Sequence, residues 1–143
     1  MHAVVDTNVL IYDTFEDTQF HKESRKLLDS LGKWLVPTVV LMEYAWFFRK
    51  NMLTSMNARD MLEDYLSDPR FRCLEDTHKT IKQALEFICN NNLSLSHFND
   101  VIILSHAISR KRPLATFDRS LRKIAVKQGI EVLPEESEEN LWI

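Results

Sequence analysis

Glycine and proline are scarce in this chain, with two glycines and four prolines among 143 residues. So few turn formers leave little room for long irregular loops, and most of the chain is expected in regular structure. The same scarcity excludes glycine-rich phosphate cradles: neither GxGxxG nor GxxxxGK(S/T) occurs. GxSxG is absent as well, which removes the strand–turn–helix serine nucleophile. Cys73 and Cys89 fit no metal-ligand spacing, and Cys89, within a helix-like apolar stripe, is expected to be a small buried thiol. The five histidines lack a mutual spacing suited to zinc or general-base work, and His97 is read as structural or superficial. No apolar run approaches the roughly 18 residues of a membrane span, and no basic-then-apolar leader opens the chain. A cytoplasmic, reduced protein with no membrane partner is expected.

Positive charge is not in excess either, since the net charge is −3. That weighs against a nucleic-acid partner until the acids are sorted. Setting aside four candidate metal ligands brings the balance to +1, and setting aside Glu135, Glu136, Glu138 and Glu139 near the C-terminus brings it to +5. A modestly basic body with a neutralised carboxylate site is compatible with a phosphate backbone.

What is present reads as alternating strands and helices. Residues 2–5 form a short apolar strand without alternation, as a central parallel strand should be. A helical turn follows at Val9-Leu10-Ile11, then a helix from His21 to Leu31 with Leu27, Leu28 and Leu31 on one face and Gly32 as a left-handed C-terminal residue. Trp34 to Pro37 gives the second strand. Thr38 is the expected cap of a helix over 39–50, so apolar all round that deep burial is predicted. An amphipathic helix over 57–67 with Asn57 as its cap, a weak strand at 71–74 and a helix from Thr77 to Asn91 with Ile81, Leu85 and Ile88 at helical spacing come next. Ser96 caps a helix to Arg110, strand four runs from Pro113 to Thr116, and Asp118 caps a helix ended by Gly129 before strand five at 130–133. This order implies right-handed crossovers and a parallel sheet covered on both faces: one α/β/α domain over 1–134 with an acidic tail over 135–143.

Four carboxylates interrupt this pattern where a lone charge is least tolerable. Asp6 ends Ala3-Val4-Val5, Glu43 is the only charge from Val39 to Phe48, Asp100 opens Val101-Ile102-Ile103-Leu104, and Asp118 follows Leu114-Ala115-Thr116-Phe117. A buried unpaired carboxylate costs several kcal/mol, so such groups are paired or bind metal. Taken singly, Asp118 is explained by an N-cap, Asp6 by a cap or a site, and Asp100 by the helix dipole. Glu43, between Val39/Val40 and Trp46/Phe47, resists such an account. Ligands of parallel sheets gather beyond the strands' carboxyl ends where strand order reverses; if strands one and four are neighbours there, Asp6 and Asp118 face one crevice, and Glu43 and Asp100 are expected to join them.

The segments Asp6-Thr7-Asn8-Val9-Leu10-Ile11, Glu43, Asn99 to Ala107 and Leu114-Ala115-Thr116-Phe117-Asp118 together resemble a PIN-domain protein, and more closely the VapC-type toxins of toxin–antitoxin pairs. The likeness runs from Ala3 to about Leu133 and rests on the ordered set, since no single motif in it is specific. It implies a three-layer α/β/α fold with a five-stranded parallel sheet. It also implies metal-ligating, catalytic Asp6, Glu43, Asp100 and Asp118, with Asn8 and Thr116 in support. Hard carboxylate oxygens suit Mg2+ or Mn2+ rather than zinc. The implied activity is endonucleolytic cleavage of single-stranded or loop RNA by metal-activated water, leaving a 5′-phosphate. The implied partners are RNA, an antitoxin and a second copy of the chain. One departure is Ser120, where many relatives carry a further acid that bears on a second metal ion.

Arg119, Arg122 and Lys123 are candidate RNA contacts, with a solvated helix face as the alternative; Arg110-Lys111-Arg112 is explained by a helix C-terminus. Trp46, Phe47 and Phe48 are read as core or subunit interface rather than base-stacking groups. Competing functions keep the fold but assign RNA processing or quality control, or a non-catalytic RNA-binding or scaffold role. A phosphoacceptor domain is rejected, because the acidic pair after strand one and the Asp after strand three that it needs are missing.

Overall fold

Ala3, Val4 and Val5 are fully buried in strand β1 (His2–Val5), and that unbroken burial makes β1 the centre of the molecule. The structure is a computed structural model and describes residues 1–136. β1 pairs with β2 (Lys33–Pro37) on one side and with β4 (Leu114–Ala115) on the other, all parallel, with Val4 opposite both Leu35 and Leu114. β3 (Phe71–Leu74) and β5 (Val132–Leu133) complete a five-stranded parallel sheet in the order β3-β2-β1-β4-β5. Strand order reverses between β1 and β4. Together with the helices this is the expected three-layer α/β/α architecture.

Among the described residues seven α-helices connect the strands: α1 (Thr7–Thr14), α2 (His21–Ser30), α3 (Thr38–Lys50), α4 (Ser55–Leu66), α5 (His78–Asn90), α6 (Phe98–Arg110) and α7 (Arg119–Lys127). A 3-10 turn at Leu95–His97, capped by Ser94, leads into α6, so Ser94 takes the place expected of Ser96. α6 packs on β1, α3 on β2 and α7 on β5. Val101 to Leu104, His106 and Ala107 of α6 are buried, which explains its run of apolar residues. Among the described residues no helix is long and apolar enough to cross a membrane.

Several local expectations are corrected. Gly32 is not left-handed: α2 stops at Leu31 in extended geometry, and the Gly32 N–H donates to the Met1 carbonyl as the chain turns directly into β2. Thr38 lies inside α3 and donates to the Leu74 carbonyl, while the Val39 N–H is accepted by Asp76 from the loop after β3. Thr54 caps α4, with Asn57 as the reciprocal member of its capping box. Cys89 is exposed, and on α5 Ala84 and Ile88 are buried while Ile81 and Leu85, at helical spacing with them, stay exposed. α3 buries only Val40, Tyr44 and Phe48 fully; its other side is open. Glu138, Glu139 and Leu141-Trp142-Ile143 of the expected acidic tail lie outside the described residues.

A chain with two glycines must close helices with other residues. Met52, Asn92 and Lys111, past the ends of α3, α5 and α6, take the left-handed conformation at φ 59°, 53° and 53°, beside Gly129 at 75° after α7. Each such non-glycine residue costs roughly 1–2 kcal/mol relative to ordinary backbone.

Candidate metal centre

Asp6 sits one residue beyond β1, at the reversal of strand order, and is both cap and cleft residue. Its Oδ1 accepts the Thr7 N–H at 2.7 Å; its Oδ2 accepts the Thr116 hydroxyl at 2.7 Å and the Asn8 amide at 3.2 Å. Asn8 and Thr116 are therefore placed against Asp6, and they knit its surroundings further. The Asn8 amide also reaches Thr116 Oγ1 at 3.3 Å, its carbonyl accepts the Phe117 N–H, and Thr116 Oγ1 accepts the Asp118 N–H at 3.0 Å. The parallel pairing of β1 with β4 makes this arrangement possible.

Asp118 caps α7, accepting the Leu121 N–H at 2.9 Å, and also lines the cleft. Glu43 projects from the second turn of α3, and two residues given no role by sequence reasoning hold it. The Thr7 hydroxyl donates to its Oε1 at 2.5 Å, and the Asn99 amide to its Oε2 at 3.3 Å. The signal for both was adjacency, since each directly neighbours an acid in the chain. Asp100, in the first turn of α6, makes the only ion-pair contact of the four acids among the described residues, to His97 Nδ1 at 3.7 Å.

All four acids line one cleft of about 580 Å³ together with Thr7, Asn8 and Asn99. Their mutual field is visible in their proton affinities. Burial, with added repulsion from Asp100 and Glu43, pushes Asp6 up to about 7 despite the hydrogen bonds from Thr116 and Thr7. Burial, then Asp118 and Glu43, pushes Asp100 up to about 6. Among the described residues no three His, Cys, Asp or Glu side chains close into a metal cage. The donor set is nevertheless all hard oxygen, gathered at like charge without a neutralising arginine or lysine in ion-pair contact. A magnesium-type ion, held by one or two carboxylates and its own waters, needs no closed cage. The residues fit such an ion.

Apolar side chains also line the cleft, Ile11 of α1 and Val39, Met42, Trp46 and Phe47 of α3, together with Lys50. Of the candidate RNA contacts, Arg119 and Lys123 are exposed on α7, but Arg122 is buried. Its guanidinium donates to the carbonyls of Thr116, Leu133 and Pro134 at 2.8, 3.2 and 2.6 Å. The expectation that Arg122 faces RNA is therefore corrected: it ties the ends of β4 and β5 to α7 and steadies the Thr116 backbone beneath Asp6.

Beside the cleft, Asp76 and His106 link the two helices that carry Glu43 and Asp100. Asp76 Oδ2 accepts the Val39 N–H at the start of α3, and its Oδ1 meets His106 Nε2 of α6 at 2.5 Å. Arg110 Nη1 lies 2.9 Å from His106 Nδ1. A guanidinium only donates, so Nδ1 accepts and the proton resides on Nε2, directed at Asp76.

The sequence matches the PIN domain family over residues 3–127, and the chain belongs to that family. No curated protein sequence matches it. Solved structures share its fold at low identity. VapC20 of Mycobacterium tuberculosis, a sarcin-ricin loop cleaving toxin, has a TM-score of 0.74 at 16% identity, covering 85% of this chain and 94% of its own. VapBC2 of Rickettsia felis, bound to a DNA fragment from its promoter, gives 0.65 at 19%, over 92% and 97%. DNA-bound VapBC of Salmonella typhimurium gives 0.64 at 22%, over 92% and 96%.

Proposed function

We propose that this PIN-domain protein is a divalent-metal-dependent endoribonuclease, the toxin of a toxin–antitoxin pair. The observation that supports it best is the meeting of Asp6, Glu43, Asp100 and Asp118 in one cleft at the reversal of strand order, with two of them held at raised proton affinity. Such a site is short of positive charge, and Mg2+ or Mn2+ on these oxygens supplies it. When bound, the ion would lower the pKa of a coordinated water and offset charge on the attacked phosphate. The chain's own residues fix the geometry. Thr7 and Asn99 aim Glu43, Thr116 and Asn8 aim Asp6, and the α7 cap holds Asp118. No side chain need bond to the substrate.

Toxin–antitoxin complexes among the solved structures of this fold support an antitoxin partner, and the sarcin-ricin loop cleaving toxin supports RNA as substrate. The test is cleavage of a mixed RNA pool with Mg2+ or Mn2+, comparing wild type with Asp6→Asn and Asp100→Asn. Cleavage that requires metal and disappears in both variants is expected. Equal cleavage by all three proteins, or cleavage in excess chelator, would refute the reading.

A further inference from the structure

The open side of α3 faces the same cleft as the acids. Met42 and Trp46, one turn apart, are 67% and 54% exposed, and both line the cleft beside Glu43. Burying both indole and thioether would have been cheap for a helix this apolar, so their exposure at the mouth of a charged cleft calls for a ligand with an apolar face. Two cations accompany them. The Arg49 guanidinium lies over one face of the Trp46 ring, 4.4 Å from its centre, which leaves the other face for a base, and Lys50, one turn beyond Trp46, lines the cleft. Glu43 is one turn before Trp46 on the same helix, so the indole and the acidic site are neighbours.

An aromatic face, flanking cations and a candidate metal centre within about two helical turns are the recognition chemistry of single-stranded nucleic acid. Bases stack on the ring while phosphates pair with the cations. We propose that Trp46 is a stacking platform for a nucleobase of single-stranded RNA beside the scissile phosphate, with Lys50 pairing to an adjoining phosphate. This rests on the nuclease reading for its choice of RNA. A paired duplex, whose bases are already stacked on one another, would gain nothing from the ring, so the platform selects unpaired segments.

The test is binding of a short, randomised, fluorescein-labelled single-stranded RNA in Ca2+, which keeps the site charged without requiring turnover. It compares wild type, Trp46→Ala, Trp46→Phe and Lys50→Ala. Loss of the ring is expected to weaken binding about tenfold or more, a single stacking contact's share. Trp46→Phe should retain most of the affinity. In a Trp142→Phe background, RNA should quench the indole emission and leave that of the Trp46→Phe variant largely unmoved, because Trp34, the remaining indole, is buried.

Wild-type affinity in Trp46→Ala, or no binding of the pool by wild type, would overturn the platform. A concentration-dependent dimer that Trp46→Ala dissolves, with RNA affinity unchanged, would assign the face to a second copy and overturn it equally. Ring-dependent binding without cleavage under any metal would remove the nuclease reading alone. Metal-dependent cleavage that Trp46→Ala leaves intact, with unchanged binding, would remove the platform alone.

Discussion

Asp100 shows how a candidate metal ligand burdens the fold that carries it. Its carboxyl is raised to about 6 by burial and by Asp118 and Glu43, whereas an unfolded aspartate titrates near 3.8. Between those values the folded chain binds more protons than the unfolded one. The contribution is therefore favourable at low pH and is lost as pH rises through about 6. Asp6, raised to about 7, extends the same loss to higher pH. Asp100→Asn removes one charge and relieves Asp6 of a repulsive neighbour. In chelator, this variant should be more stable than wild type at pH 8, on the order of 1 kcal/mol after allowing for partial solvation, and no more stable at pH 4. Urea unfolding at both pH values checks this; a variant less stable than wild type at pH 8 would show that the acids do not repel one another. Met52 makes a different prediction at this scale. It is almost wholly exposed and left-handed at φ 59°, so Met52→Gly should raise stability by about 0.5–1 kcal/mol with activity unchanged.

Helices α3 and α6 bring their acids together through a contact that neither helix contains. Asp76 accepts the Val39 N–H and the His106 Nε2 proton at once. Asp76→Ala should leave both donors unpaired in a buried setting and cost about 2–4 kcal/mol, while weakening Mn2+ binding through the loosened spacing of Glu43 and Asp100. His106→Gln should do little, because its amide offers a donor to Asp76 and an acceptor to Arg110. Thermal unfolding and Mn2+ titration of the two variants check this, and equal losses in both would deny the hydrogen-bond account. None of this was legible in the sequence, since Asp76 is one of three polar residues in a loop and His106 looks like an isolated histidine in an apolar helix. The elements themselves were legible, β1 from its unbroken apolar run and α7 from Asp118 before it and Gly129 after it. α3 misled because hydrophobicity on all sides was equated with burial, whereas one side of it borders a cleft.

At the scale of the whole molecule, fold and site impose opposite demands. A five-stranded sheet buried on both faces stabilises the chain, while the cleft at its centre concentrates like charge. The four acids were legible as a set, because each breaks an apolar run, although Asp6, Asp100 and Asp118 taken singly have ordinary capping or dipole accounts. Their supports were only partly so, because Thr7, Asn99 and the burial of Arg122 depend on contacts across 36, 56 and 11 residues of chain. If a divalent ion relieves the site's repulsion, folding and metal binding are linked. Mn2+ at a hundred times its dissociation constant should then stabilise wild type by about 2.7 kcal/mol. Protons compete for the same oxygens, so the gain should be largest above pH 7, where Asp6 and Asp100 are ionised, and should shrink as pH falls through about 6. Calorimetric melting with and without Mn2+ reads this directly. Asp100→Asn should melt higher than wild type without metal and gain less from adding it, so the two curves should converge or cross as Mn2+ is raised. A Mn2+ response equal in both proteins would place the ion elsewhere on the molecule.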